Sequence, residues 1–320
     1  MACSFIVVDS RLIPCIHCNI SNEVFSSLRR EGADPNSTMV IHEKYLRLPV
    51  LTYAIVREYQ EIVELLLKYK VNIEDRGDGM NPPLCNAALL GNTTIVEILL
   101  DEGADTEITN TSGSRPLYMA AMNGHENTVV LLLQRGAQMD ATNDKGLSAI
   151  HAAASRGHLN VIQKLGKSGV YHITRHAKCT ALHYAAADGH TDIAHWLVAE
   201  GSVSCARDWA GNTAAHTAAL NGHQALANWL LGQWEPPSLE LYTPQDKLIW
   251  CSQRGDIDGV EVALQAGALV NAADSKDQLA LLEASLFGHN CIVRVLVKAE
   301  YNPGAHRTPN SKCHFCQQSS

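Results

Sequence analysis

The sequence predicts an all-α solenoid of stacked helix pairs, and two observations carry that prediction. The first is a recurring eleven-residue motif. It reads TALHYAAADGH from Thr180, TAAHTAALNGH from Thr213, SAIHAAASRGH from Ser148 and RPLYMAAMNGH from Arg115. Looser copies begin at Pro49 (PVLTYAIVREY), Pro82 (PPLCNAALLGN), Asp246 (DKLIWCSQRGD) and Leu279 (LALLEASLFGH). Neighbouring copies lie 32 or 33 residues apart, and a fixed period of that size marks a stacked repeat array. The second observation is length. A chain of 320 residues exceeds the roughly 250–300 residues at which a single core stops growing. A solenoid escapes that limit, because each repeat touches only its neighbours. One elongated domain is therefore expected.

Each part of the motif has a physical reason. Thr180 is suited to the N-cap, where its hydroxyl satisfies a free backbone N–H of the first turn. Pro116 follows Arg115 at the first helical position, where a missing N–H costs nothing. The paired Ala185 and Ala186 keep one helix face thin, so a neighbour approaches closely. Gly189 suits the left-handed residue that closes a helix. A second helix is expected over Asp192 to Val198, stopped at Gly201, and about ten turn-forming residues precede the next copy. Neither helix buries its apolar face alone, and stacking on the next repeat supplies the missing surface.

These residues resemble the ankyrin repeat, whose motif is TPLHxAAxxGH followed by a Leu-rich second helix and a Gly-Ala-Asp turn. The closing Gly is present in seven of the eight copies, and the turn Gly recurs at Gly103, Gly136, Gly169, Gly201 and Gly267. The resemblance covers roughly residues 10–303. It implies antiparallel helix pairs with short projecting β-hairpins, in about eight to nine repeats. It also implies protein binding as the task, without catalysis. The expected array spans 1–303: a divergent cap and linker over 1–48, then repeats at 49–81, 82–114, 115–147, 148–179, 180–212, 213–245, 246–278 and 279–303. Residues 304–320 are polar, lack apolar periodicity and are expected to be a disordered tail.

Two departures interrupt the pattern. Gly166 replaces an apolar residue in the second helix of the repeat at Ser148, and the basic turn after it (171–178) is one residue short. The stretch from Gly232 to Gln245 keeps the spacing but carries Pro236, Pro237 and Pro244. An irregular link is expected there, with Thr243 and Pro244 as N-cap and first helical residue, and the last two repeats packing at an altered angle.

Composition narrows the function classes. A net charge of −8 disfavours nucleic acid, which selects a basic face. No stretch approaches the roughly 20 apolar residues of a membrane span, and the N-terminus lacks the charge and apolar run of a secretory leader. The ten scattered cysteines fit free thiols of a cytoplasmic or nuclear protein. Two Cys-x-x-Cys pairs, Cys15 with Cys18 and Cys313 with Cys316, each lack the four ligands of a structural zinc site nearby. His151, His183 and His216 recur within the motif, and His125, His158, His190, His223 and His289 follow its closing Gly, so both sets carry the period of the fold. No nucleophile elbow, phosphate-binding loop or metalloprotease helix is present. The expectation is a non-enzyme with no cofactor, no metal and no small-molecule substrate, no membrane insertion and no nucleic acid, acting on protein partners.

In the ankyrin family, partners meet the hairpin tips and the exposed side of the first helices. Carried onto this chain, that implies Leu89, Leu90, Met122, Asn123, Arg156, Asp188, Leu220 and Asn221 at first-helix ends. It implies Asp144, Lys145, His176 and Trp209 at tips. The corresponding positions of the last two repeats include Gln253, Leu286 and Phe287. The leading expectation is a protein–protein scaffold or adaptor. The alternative is a regulatory or substrate-recruiting subunit of a larger enzyme assembly, and a weaker third is a zinc-dependent module built on the tail cysteines.

Overall fold

The computed structural model describes residues 5–7, 36, 38–41, 46–78, 81–166, 179–233, 243–274 and 278–301. They belong to two compact units, Met1–His176 and Ala177–Ser320. Sixteen helices carry the described fold, in the short–turn–short pattern that the motif predicts.

In the first unit the helices are α1 (Val50–Val56), α2 (Gln60–Lys68), α3 (Pro83–Leu90), α4 (Thr93–Asp101), α5 (Pro116–Met122), α6 (Glu126–Gln134), α7 (Ala149–Arg156) and α8 (Leu159–Gly166). Odd-numbered helices are the first of each pair. Their paired alanines, Ala87 with Ala88, Ala120 with Ala121 and Ala153 with Ala154, have no solvent exposure, which lets successive first helices pack closely. The even-numbered helices bury residues at i, i+1 and i+4: Ile95, Val96 and Leu99 on α4, and Val161, Ile162 and Leu165 on α8. Each fully buried aliphatic side chain contributes about 1.5–3 kcal/mol relative to exposure. Ion pairs on the outer side join the same helices, Arg135 to Asp101 at 2.7 Å and Lys164 to Glu126 at 3.1 Å. These are surface pairs worth about 0–1 kcal/mol each, so apolar burial dominates.

Ahead of α1 the structure adds something that the motif did not foretell. Strands β1 (Phe5–Val7), β2 (Thr38–Ile41) and β3 (Leu46–Pro49) form an antiparallel sheet in the order β1-β2-β3. Val7 stands opposite Met39, and Thr38 opposite Pro49. The segment expected to be a plain connection thus supplies two paired strands, and β3 leads directly into α1. The helices expected for a capping repeat within 1–36 lie outside the described residues, apart from Phe5–Val7, which is strand.

The second unit contains α9 (Ala181–Ala187), α10 (Thr191–Ala199), α11 (Ala214–Leu220), α12 (Gln224–Gly232), α13 (Pro244–Arg254), α14 (Ile257–Gln265), α15 (Ala280–Leu286) and α16 (Asn290–Tyr301). The packing rules are the same: Ile193, Ala194 and Leu197 on α10 and Leu226, Ala227 and Leu230 on α12 are buried. The half-buried Trp229 meets His195 of the preceding pair, with ring centroids 4.0 Å apart. Helix α13 starts at Pro244 behind Thr243, whose Oγ1 accepts from the Asp246 amide while the Asp246 carboxylate accepts from Thr243. That reciprocal box explains the early helix start.

The projecting β-hairpins are reduced to turns. Asn110 N–H bonds Ser114 O, Asn143 bonds Leu147, Asp208 bonds Asn212 and Asp274 bonds Gln278. The side chain of each Asn or Asp accepts amides from the same turn, as Asn143 Oδ1 does from Lys145 and Leu147 at 3.0 Å. Those amides are therefore unavailable to a longer ladder, and one isolated bridge, Ala273 with Leu279, is all the β-pairing among the described turns.

The degraded repeat at Pro49 keeps the backbone of its neighbours without their glycines. Glu58 and Lys70 stand where other repeats have the closing and turn Gly, and both adopt left-handed φ, 58° and 53°. A side chain in that region costs roughly 1–2 kcal/mol. Both residues are exposed, so no packing offsets the strain. Lys70→Gly is therefore expected to stabilise the first unit by about 1 kcal/mol and to raise its melting midpoint by about 2–4 °C. Thermal unfolding followed by circular dichroism checks this, and an unchanged or lower midpoint contradicts it.

Candidate partner-binding surface

The surface is built on two polar devices that fix where tips and helix ends stand. The first is the fourth motif position, which points at the next tip. Cys85 Sγ lies 3.7 Å from Ile108 O and 3.9 Å from Ser114 O. Tyr118, one repeat on, bonds the Asn143 side chain, and its phenol is pushed up chiefly by burial. His183 Nε2 donates to Asn212 O at 3.2 Å. The backbone N–H of Ser148, Thr180 and Thr213 donates to Nδ1 of His151, His183 and His216 respectively. The His183 imidazole thus caps its own helix and holds the tip that follows it. That Cys85 and Tyr118 meet a tip from the histidine position was not visible in the sequence, where they look unrelated to the histidines.

The second device closes the first helix. His125 Nε2 donates to Leu89 O at 2.9 Å, His158 to Met122 O at 3.1 Å, and His289 to Gln253 O at 2.8 Å. Each ring lies over the closing Gly of the preceding repeat. A Cβ on Gly124 would stand 2.6 Å from His158 Nδ1, and one on Gly189 would stand 2.5 Å from His223.

A family model of ankyrin repeats, in three copies, matches residues 15–110, 84–175 and 171–238. The chain belongs to the ankyrin-repeat family. No curated protein matches it. Ankyrin repeats generally mediate protein–protein interaction and are typically non-catalytic. The helix pairs from Pro244 to Tyr301 lie beyond the matched residues.

On this ankyrin array the expected site residues divide by exposure. In the first unit Leu90 is 37% exposed, and Asn123, Arg156, Asp144 and Lys145 are exposed, whereas Leu89 and Met122 are half-buried. Successive residues on a helix turn by about 100°, so the last residue before the closing Gly faces outward and the one before it faces the neighbouring repeat. Leu90, Asn123 and Arg156 therefore mark the ends of three successive helices. Asn123 also serves the stack, donating Nδ2 to Leu89 O at 2.7 Å. Asp144 is tied to the preceding tip by its amide, 3.2 Å from Ser112 O, and its carboxylate lies against Gly113. In the second unit Asp188 and Asn221 are exposed, Asn221 Nδ2 bonding Thr217 O at 2.9 Å. Trp209 is 68% exposed and Leu220 63%. His176 lies outside the described residues. At the end of the array two expectations are corrected: Gln253 and Phe287 are buried, because their repeats make a different contact, described below.

The remaining chemistry is quiet. Burial pushes the thiols of Cys85 and Cys251 up to about 12, so both are protonated and unreactive at neutral pH. Cys15, Cys18, Cys313 and Cys316 lie outside the described residues. Among the described residues, no helix is long and apolar enough to cross a membrane.

Burial is also the main cause that holds His183 below its ordinary value of 6.5, opposed by the Asn212 carbonyl and Asp208. A depressed histidine favours folding in its neutral form. Its contribution is present above about pH 6.5 and is lost as pH falls through the lower folded value. His183→Gln keeps a side chain able to complete the capping box but removes the titration. The stability gap between the native chain and this variant is expected to narrow from pH 7 to pH 5, measured by urea unfolding. A gap that stays constant or widens contradicts the assignment.

Proposed function

We propose that the chain is a non-enzymatic scaffold or adaptor that binds protein partners through its tips and first-helix ends. Each helix pair with its tip is one repeat of that scaffold, from 49–81 through 279–303, and each unit offers a surface of its own. The reading rests on Trp209 and Leu220. They are two large apolar side chains, 68% and 63% exposed, Trp209 on the tip before α11 and Leu220 at the C-terminal end of that helix. Aromatic anchors flanked by apolar neighbours are what binding hot spots favour. The exposed Asp188 and Asn221 supply polar flanks. In the first unit the exposed Leu90 and the half-exposed Met122, with the exposed Arg156, Asp144 and Lys145, offer a second, mixed-charge set of anchors. The protonated, buried thiols of Cys85 and Cys251 fit a cytoplasmic or nuclear setting, where cysteines stay reduced.

The test is a binding assay with a partner recovered by affinity purification, using variants first checked for native folding. Trp209→Ala is expected to weaken binding by about 30-fold, the 2 kcal/mol of a hot-spot side chain. Met122→Ala is expected to have a smaller effect, and Lys145→Ala to stay within about twofold, as rim charges do. Should both Trp209→Ala and Met122→Ala leave affinity within about twofold, the partner does not sit on these surfaces.

A further inference from the structure

The second unit breaks the repeat rule at one place. In a regular step, the fourth motif position meets the tip that follows it, as His183 meets Asn212 O. By that rule His216 would meet the segment at Gln245. Instead Gln245 turns away, its Nε2 donating to Leu269 O and Ala272 O at 3.0 and 2.6 Å. His216 is held by the pair after next. Its Nδ1 accepts from Thr213 N–H, so the proton is on Nε2, which donates to Glu283 Oε2 at 3.0 Å.

The same carboxylate is satisfied from two further sides. Gln253 Nε2 donates to Oε2 at 3.1 Å and Gln278 Nε2 to Oε1 at 3.2 Å. Arg207, from the tip before α11, donates to Gln278 Oε1 at 3.2 Å. Gln224, opening α12, donates to Phe287 O at 2.7 Å. Phe287 meets the His216 ring edge-on, 5.4 Å between centroids, and is 1% exposed. Glu283 and Phe287 lie one turn apart on or next to α15, so one face of one helix makes this contact.

The apolar core divides at the same line. Leu248, Ile249, Val260, Ala263, Ala280, Ala284, Ile292 and Leu296 form a cluster, and among the described residues the partly buried hydrophobics packed against it come from the same two helix pairs and the turn between them. Apart from Phe287, the named bonds across the junction are polar. We propose that α13–α16 form a separately cored module, docked on α11 through the buried His216–Glu283 contact and able to release from it.

The energetics favour an openable contact over a permanent one. Burying a carboxylate costs several kcal/mol, which its partners only offset, so a satisfied buried pair adds little net stability. It is nonetheless specific, because removing one partner leaves a buried polar group unpaired. Release returns Glu283 and His216 to water and leaves both apolar cores intact. Its main loss is the burial of Phe287, whose exposure is the signature of the open state.

Hydroxyl-radical footprinting of the full chain, read by mass spectrometry, reports side-chain exposure residue by residue. In Glu283→Ala, labelling of Phe287 is expected to rise by about fivefold or more, while Leu296 and Leu230 stay protected as in the native chain. Gln278→Ala, a milder change at a half-buried residue, is expected to give the same pattern with smaller amplitude. Labelling of Leu296 or Leu230 that rises together with Phe287 overturns the proposal, because the junction is then part of one cooperative core. Phe287 protected as in the native chain in both variants overturns it as well.

Discussion

The structure depends on one steric and polar constraint repeated along the chain. The first helix of a repeat ends on a left-handed Gly, and the histidine of the next repeat lays its ring over that Gly while bonding a carbonyl of the same helix end. Gly91 with His125, Gly124 with His158 and Gly255 with His289 do both, and the His223 ring lies over Gly189. The backbone must be left-handed to turn the chain into the second helix, and the α-carbon must be bare to admit the ring. Only Gly meets both demands without strain.

Once that spacing is set, the rest follows from burial. Paired alanines let first helices touch, and aliphatic residues at i, i+1 and i+4 close the second layer. At Cys85, Tyr118 and His183 the fourth motif position then fastens a tip. It tolerates Cys85, Tyr118 or His183 because the requirement is a polar group of suitable reach, and not imidazole chemistry. The outer ion pairs are too exposed to decide the fold. The tips and helix ends, already held by backbone bonds, expose some side chains and engage others in the array. Trp209 and Leu220 stand in water, whereas Asn123 and Asn221 spend their amides on the array.

Much of this was legible in the sequence, because the period and the motif are read from local rules. Helix starts at Pro83, Pro116 and Pro244 and the closing glycines fall where capping chemistry places them. What was not legible depends on contacts distant in sequence. Strand β1 pairs with β2 across more than 30 positions, and the sheet lies in segments with no repeat signal. Glu58 and Lys70 imitate glycine through strain that their identity does not announce. Gln253 and Phe287 were expected on the binding face, and the structure buries them, because α15 contacts α11 out of sequence order. Position in a motif predicts exposure only while each repeat meets its immediate successor.

The central claim, that the Gly–His step sets the stack, is tested most directly by a double-mutant cycle at Gly91 and His125. Urea unfolding is measured for the native chain, Gly91→Ala, His125→Ala and the double variant. If the ring fills the space that a Cβ at position 91 would need, deleting it relieves part of the cost of Gly91→Ala. The two changes are then coupled by about 1 kcal/mol or more. Additivity to within about 0.3–0.5 kcal/mol would mean that the backbone conformation alone demands the Gly, and would contradict the account.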